Sequence, residues 1–127
     1  MLASWVQQCS FDPPRITLAL KPERDLARWL TPSAGFTVNI LDDTQTDMIA
    51  HFGKGFKADE PAFTDLEIEH LDDAGPVLQE ALAFLVCQVV GRQSAGDHDL
   101  FIGQVLRGRL LADGQPMVHV RKSGLHY

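Results

Sequence analysis

The sequence predicts a mainly β domain, a small barrel carrying two or three short helices, and three observations lead there. Residues 82–90 are apolar on both alternating faces, with Leu82, Phe84, Val86 and Val90 on one side and Ala83, Leu85, Cys87 and Val89 on the other, the pattern of a strand covered above and below. Residues 100–111 form a second long apolar stretch, followed by the Asp113-Gly114 turn signal. Residues 15–21 alternate Ile16, Leu18 and Leu20 against Thr17 and Ala19, the period of a strand. Strands outnumber helices, so a closed or partly closed sheet is expected.

The remaining elements follow in chain order. Residues 1–11 alternate weakly and favour a strand, which Asp12-Pro13-Pro14 must break because two prolines remove donors and fix the backbone. Residues 22–30 read as a short helix, with Pro22 in its first turn, Glu23 and Asp25 near its start, and Leu26, Trp29 and Leu30 sharing a face. Pro32 and Gly35 end it. Residues 36–41 are a buried strand interrupted by Asn39. Residues 44–52 form a second helix, in which Thr44 and Asp47 have capping-box spacing and Met48 and Phe52 stack one turn apart. A loop over 53–60, an acidic strand over 63–71, one helical turn over 77–81, a polar turn region over 91–99 and a final strand over 116–120 complete the chain. The whole of 1–127 reads as one domain, without repeats.

Composition narrows the functional classes. A hydrophobic content of 45% and a charged content of 22% are ordinary for a globular protein. The net charge of −6 argues against nucleic acid as a partner. No apolar run approaches the ~20 residues of a membrane span, and residues 1–6 lack the basic flank of a signal peptide. A cytoplasmic location is therefore expected, with Cys9 and Cys87 as reduced, buried thiols. Histidines 51, 70, 98, 119 and 126 form no metal motif. Gly53-Lys54-Gly55 lacks the spacing of a phosphate-binding loop.

Several residues are candidates for chemistry. His98 follows Gly96-Asp97 between two apolar strands; it is either a solvated turn histidine or a hydrogen-bonding group beside a redox cofactor. Asn39 in an apolar strand either ties two strands together or meets a ligand. Ser4, Gln8 and Ser10 fall at even spacing, so they would line one face of the first strand, toward solvent or toward a groove. Arg24, Arg28, Lys54 and Lys57 are the cations nearest the helix starts and the glycine loop, where a phosphate would find a partner.

Taken together, Ala3-Ser4-Trp5-Val6 with Ser10-Phe11-Asp12-Pro13-Pro14, Phe36-Thr37-Val38-Asn39-Ile40-Leu41, His51-Phe52, Pro76-Val77-Leu78, Gly96-Asp97-His98 and Val118-His119-Val120-Arg121-Lys122-Ser123-Gly124 resemble, in order and spacing, the flavin reductase-like proteins of the FMN-binding split-barrel fold. The resemblance is nearest to the C-terminal flavin reductase-like domain of cyanobacterial flavodiiron (diflavin) proteins. It implies a homodimeric flavoprotein that binds FMN, or FAD, and passes electrons between NADH or NADPH and flavin. By position it implies flavin contacts from Ala3, Ser4, Trp5, Gln8, Cys9 and Ser10, a phosphate ligand in Arg24, flavin-side positions for Asn39, Gln45 and Phe52, and a catalytic place near the nicotinamide for His98. Such reductases feed a monooxygenase or another electron acceptor.

The chain departs from the pattern at its start. Family members carry about two dozen further residues there, the length of a hairpin, so the first barrel strand is expected to be missing. That leaves an open edge beside the flavin strand, arising from a misassigned start, to be covered by the dimer or a later segment, or inherited by a degenerate relative. Gln8 also stands where a small serine is common. Two readings result: an FMN-dependent NAD(P)H:flavin oxidoreductase, or a non-catalytic split barrel that carries electrons or only dimerises.

Overall fold

The computed structural model describes residues 1–119. Its framework is a five-stranded antiparallel sheet in the order β1-β2-β7-β6-β3. The strands are β1 (Val6–Phe11), β2 (Pro14–Leu20), β3 (Gly35–Ile40), β6 (Ala83–Ser94) and β7 (Asp99–Leu110). Helix α1 (Asp25–Trp29) joins β2 to β3, and α2 (Thr46–Gly53) follows β3. A small ladder of β4 (Ile68–Glu69) with β5 (Val77–Leu78) precedes β6.

The alternation of β2 and the doubly apolar character of β6 explain the packing. Ile16, Leu18 and Leu20 of β2 join Phe36 of β3, Cys87 and Val89 of β6 and Phe101 of β7 on one face, with Ala27 and Leu30 of α1 closing over them. The opposite face of β6 presents Phe84 and Val86 to Val77 of β5. Under α2, Met48 and Phe52 pack with Leu78 and Ala81. Phe101, Val77, Val86 and Cys87 are the largest fully buried side chains, and full burial of an aliphatic or aromatic side chain contributes about 1.5–3 kcal/mol.

The outer edge of β3 is covered by the segment before β5. Thr37 Oγ1 donates to the Gly75 carbonyl at 2.6 Å. Asn39 Nδ2 donates to the Pro76 carbonyl at 3.0 Å, while Asn39 Oδ1 accepts from the Leu78 amide at 2.9 Å. Of the two readings open for Asn39, the side chain makes the strand tie. The approach is close: a Cβ on Gly35 would lie 1.9 Å from the Asp73 carbonyl oxygen, so only glycine fits there. The Asp42 carboxylate makes a second clasp, accepting from the Thr44 amide and hydroxyl and from the distant Gln115 amide. Arg107 of β7 pairs in fork geometry with Asp73 at 2.7 Å on both arms.

Several expectations are corrected. Residues 1–5 are not strand, although the Trp5 carbonyl still accepts from the Ala19 amide at 3.0 Å. A bulge at Cys9 breaks the alternation of β1: Gln8 pairs with buried Ile16, and Ser10 pairs with Arg15, which faces the other way. Ser4, Gln8 and Ser10 therefore do not share a face. Cys9 is exposed, not buried. The helix over 22–30 shrinks to five residues and leaves Trp29 57% exposed. Thr44 serves Asp42, so the capping box does not form. Only Ile68–Glu69 of the acidic stretch is strand, because turns occupy most of 57–67. Residues 77–78 are strand, their backbone claimed by β4 and by Asn39. Of the expected final strand, Pro116 bridges Asp42, 117–119 form no ladder, and Val120 with the segment after it lies outside the described residues.

Three outcomes are expected. Burial pushes the Cys87 thiol up to about 11, so the native protein should consume one equivalent of a thiol reagent at pH 8, through Cys9, and the second only after denaturation; a titration with and without denaturant checks this. Asn39→Ala strands the Pro76 carbonyl and Leu78 amide, and should cost about 1–3 kcal/mol in denaturant unfolding. Hydrogen bonds from Thr44 hold the Asp42 carboxyl below its ordinary value of 3.8, and those from Arg107 do the same for Asp73. Depressed carboxylates lend stability that is complete above pH 3.8 and is lost as pH falls through their lower folded values. Unfolding midpoints measured from pH 7 down to 2.5 should be flat and then fall below about pH 4, and Asp42→Asn should soften that fall.

Candidate functional site

The site forms where four segments meet at one end of the sheet. Residues 1–5 run beside the end of β2, held by the bond from Ala19 to Trp5. The β2–α1 connection brings Leu20, Lys21 and Arg24; the end of α2 brings Phe52 and Gly53; the β6–β7 turn brings His98. Together they line an open pocket of about 250 Å3 that also includes Met1, Leu2, Ala3, Ser4, Ala19 and Gly55.

Each wall has a local cause. The β6–β7 hairpin closes through two residues, Gly96 and Asp97, with the Ala95 amide donating to the His98 carbonyl at 2.9 Å. Gly96 has φ +87°, as the first central position of such a turn requires. His98 Nδ1 lies 2.9 Å from Asp97 Oδ1, and the Trp5 ring sits against the imidazole with centroids 4.8 Å apart and planes inclined at 48°. The His98 side chain is 15% exposed and that of Asp97 84%. The contact with His98, aided by the charge of Lys21, holds the Asp97 carboxyl below the usual carboxylate range. Phe52 is buried within a ring cluster with His51, Phe56 and Phe63 and lines the pocket. Gly55, at φ +77°, lets the loop pass close to the Arg24 guanidinium.

Of the residues expected from the sequence, Ala3, Ser4, Trp5, Arg24, Phe52 and His98 line this pocket. Gln8, Cys9 and Ser10 lie farther along β1, at and beyond the bulge. Asn39 and Gln45 stand outside it. Gln45 Oε1 accepts from the Asp42 amide and its Nε2 donates to the Glu80 carbonyl, both at 2.9 Å. Among the other cations, Arg28 turns to Asp25 and Lys54 lies over the Phe56 ring. Sequence reasoning gave no site role to Lys21 and Leu20, and set the Gly53-Lys54-Gly55 loop aside. The signal for Lys21 was its place between an alternating strand and the proline that starts the next helix, on the same connection as Arg24. Among the described residues, no group of acidic, histidine or cysteine side chains could hold a metal, and no helix is long and apolar enough to cross a membrane.

Chemically, the pocket offers aromatic and aliphatic walls (Trp5, Leu20, Phe52), two polar groups (Ser4, His98) and two cations (Lys21, Arg24). That donor set suits a flat ring system bearing an anionic tail, in an otherwise acidic chain.

Comparison with known proteins agrees with this chemistry. A family model described as flavin reductase like domain matches residues 1–124. A diflavin flavoprotein sequence of Synechocystis sp. is 41% identical over 128 residues, covering 100% of this chain and 21% of its own length. Diflavin flavoprotein A 1 of the same organism is 36% identical over 129 residues, with 100% and 22% covered. The chain thus spans about a fifth of the length of these relatives and matches their C-terminal domain. Among solved structures, flavin reductase PheA2 is 29% identical with a TM-score of 0.72, over 87% of this chain and 69% of that one. The styrene monooxygenase flavin reductase of Pseudomonas putida is 28% identical with a TM-score of 0.73, over 91% and 72%. A Streptomyces globisporus NADH:FAD oxidoreductase, 22% identical, shares the fold with a TM-score of 0.79, over 87% and 66%. The sheet order, the pocket and these matches agree: the chain belongs to the flavin reductase-like domain family and has its split-barrel fold.

Proposed function

We propose that this domain binds flavin, FMN in the first place and FAD as the alternative, and passes electrons to it from NADH or NADPH. One observation carries the reading: Ser4, Trp5, Arg24, Phe52 and His98, from four separate segments, face one pocket. The family and the fold support the coarser statement, a flavin-related oxidoreductase. When bound, flavin supplies the two-electron acceptor that a nicotinamide hydride requires. The chain's own residues position and shield. Arg24 and Lys21 neutralise the phosphate. Trp5 and Phe52 present apolar surface that excludes water from the ring. Ala3 and Ser4 would contact the ring; Ser10, on the Arg15–Thr17–Ala19 face of the sheet, would extend that contact past the bulge at Cys9, whereas Gln8 lies on the opposite face. His98 hydrogen-bonds at the reacting end, so it is the catalytic residue in this reading. Asn39 and Gln45 would act indirectly, through the backbone of Pro76, Leu78, Asp42 and Glu80 that they tie.

A pocket of about 250 Å3 in one chain falls below the ~300–1,000 Å3 of typical cofactor sites. A second copy would complete it, and the half-buried sheet face of Thr17, Ala19, Leu100 and Ile102 is available to such a partner. The homodimer is part of the proposal, as are the cytoplasmic location and a monooxygenase or other electron acceptor as consumer of the reduced flavin.

Titration with FMN and FAD, followed by anaerobic addition of NADH or NADPH, tests the reading. The expected result is saturable uptake and a band near ~450 nm that bleaches with nicotinamide. Arg24→Ala should weaken flavin binding about tenfold or more. His98→Ala should lower kcat more than flavin affinity, and Ser10→Leu should do the reverse. A yellow protein inert to both nicotinamides would leave electron carriage alone, and a well-folded protein with no saturable flavin uptake overturns the proposal.

A further inference from the structure

We propose that Asp97 is a positioning residue for His98, fixing which ring nitrogen carries the proton and therefore which nitrogen is offered to a molecule in the pocket. The proposal rests on the reading of His98 as the group at the reacting end, and adds to it a defined tautomer and a named residue that sets it.

The argument starts from donor chemistry. An ionised carboxylate only accepts hydrogen bonds. At 2.9 Å from Asp97 Oδ1, the Nδ1 of His98 must carry its hydrogen. In the neutral ring, Nε2 then holds the lone pair, and it is the nitrogen left to face a ligand. The alternative tautomer would set the Nδ1 lone pair against a carboxylate oxygen, two acceptors in contact.

The geometry restrains the pair from the turn and from Trp5. Consecutive residues in a strand point to opposite faces, so Asp97 and His98 would not meet in an extended chain. They meet because Gly96, at φ +87°, opens a two-residue turn in which Asp97 is the tip and His98 the first return residue. The imidazole is tucked in at 15% exposure while the carboxylate stands on its solvent side at 84%. The Trp5 ring, 4.8 Å away, flanks the imidazole and limits its rotation. Among the described residues that line the pocket, Lys21 and Arg24 carry the charged side chains, and Lys21 favours the ionised form of Asp97. The carboxylate is thus present, and accepting, throughout the neutral range.

Besides the imidazole, the Asp97 carboxylate meets its own backbone amide, a local contact that the hairpin does not depend on. The Ala95–His98 backbone bond closes the hairpin without its side chain, and a Cβ built on Gly96 meets nothing within 4 Å. The carboxylate touches the ring and stabilises no buried structure, so its loss should change the histidine and leave the fold alone.

The test uses histidine labelled with 15N and long-range proton–nitrogen correlation spectra at about pH 8.5, where an ordinary histidine is neutral. In the native chain, His98 should show a protonated Nδ1 and an unprotonated Nε2. Asp97→Ala should reverse this, with the unfolding midpoint unchanged. Asp97→Asn should keep part of the native tautomer, because its amide oxygen still accepts. With flavin and nicotinamide, Asp97→Ala should lower kcat about tenfold, the common worth of a partner that orients a histidine, and leave flavin affinity within about twofold. A native His98 protonated at Nε2, or an alanine variant that keeps the native tautomer, overturns the proposal. So does a variant whose tautomer switches while turnover is unchanged. If the native chain takes up no flavin, the reading of the site falls, and the tautomer spectra decide the role of Asp97 on their own.

Discussion

The structure depends on one constraint: β6 must be buried on both of its faces. A strand that carries Cys87 and Val89 on one side and Phe84 and Val86 on the other cannot lie at a surface. One side therefore requires β2, β7, β3 and α1, and the other requires β5 with the segment leading to it. The remaining features serve that double cover. Asn39 and Thr37 fasten the 75–78 stretch along β3, and Gly35 lets the backbone of Asp73 come close enough to do so. Exposed ion pairs such as Arg107 with Asp73 refine the cover and contribute little beside it.

The same hairpin that forms the core also carries His98 to the pocket. The inner half of β6–β7 is apolar and pinned by its neighbours, and its far end is a two-residue turn. His98 stands at that turn, one residue before the buried Asp99, which Arg92 holds from across the hairpin. A rigid strand pair thus delivers a polar ring to the edge of a pocket without placing it in the core. The other walls arrive from three separate stretches of chain, so the pocket exists only when the whole fold does.

How far the sequence revealed this follows from the same physics. Long-period signals were legible: the doubly apolar 82–90 run, the alternation of 15–21, and the Phe36 strand all became strands. Local exceptions were not. The bulge at Cys9 inserts one residue and reverses every face after it, so an even spacing that looked like one surface became two. Residues 77–78 looked like a helical turn because two apolar positions cannot declare their period; their partner, Asn39, lies about forty residues earlier. Of the positions expected from the resemblance spread along the chain, Ala3, Ser4, Trp5, Arg24, Phe52 and His98 line the pocket. Lys21 was missed because only the folded chain shows that the connection it sits on turns toward Phe52. Asn39 and Gln45 drew attention as polar residues in apolar surroundings, a property that backbone ties and ligand contacts share.

Beyond its chain neighbours, a Cβ on Gly96 would meet nothing within 4 Å, and the residue lies in the turn of a hairpin whose stem is already fixed. Loop tips of this kind accept insertions at small cost in stability. A few added residues here would rise beside His98 as a flap over an otherwise open cleft. Lineages sharing this scaffold would thus change how far this pocket is covered through the length of a single connection, leaving the interior untouched.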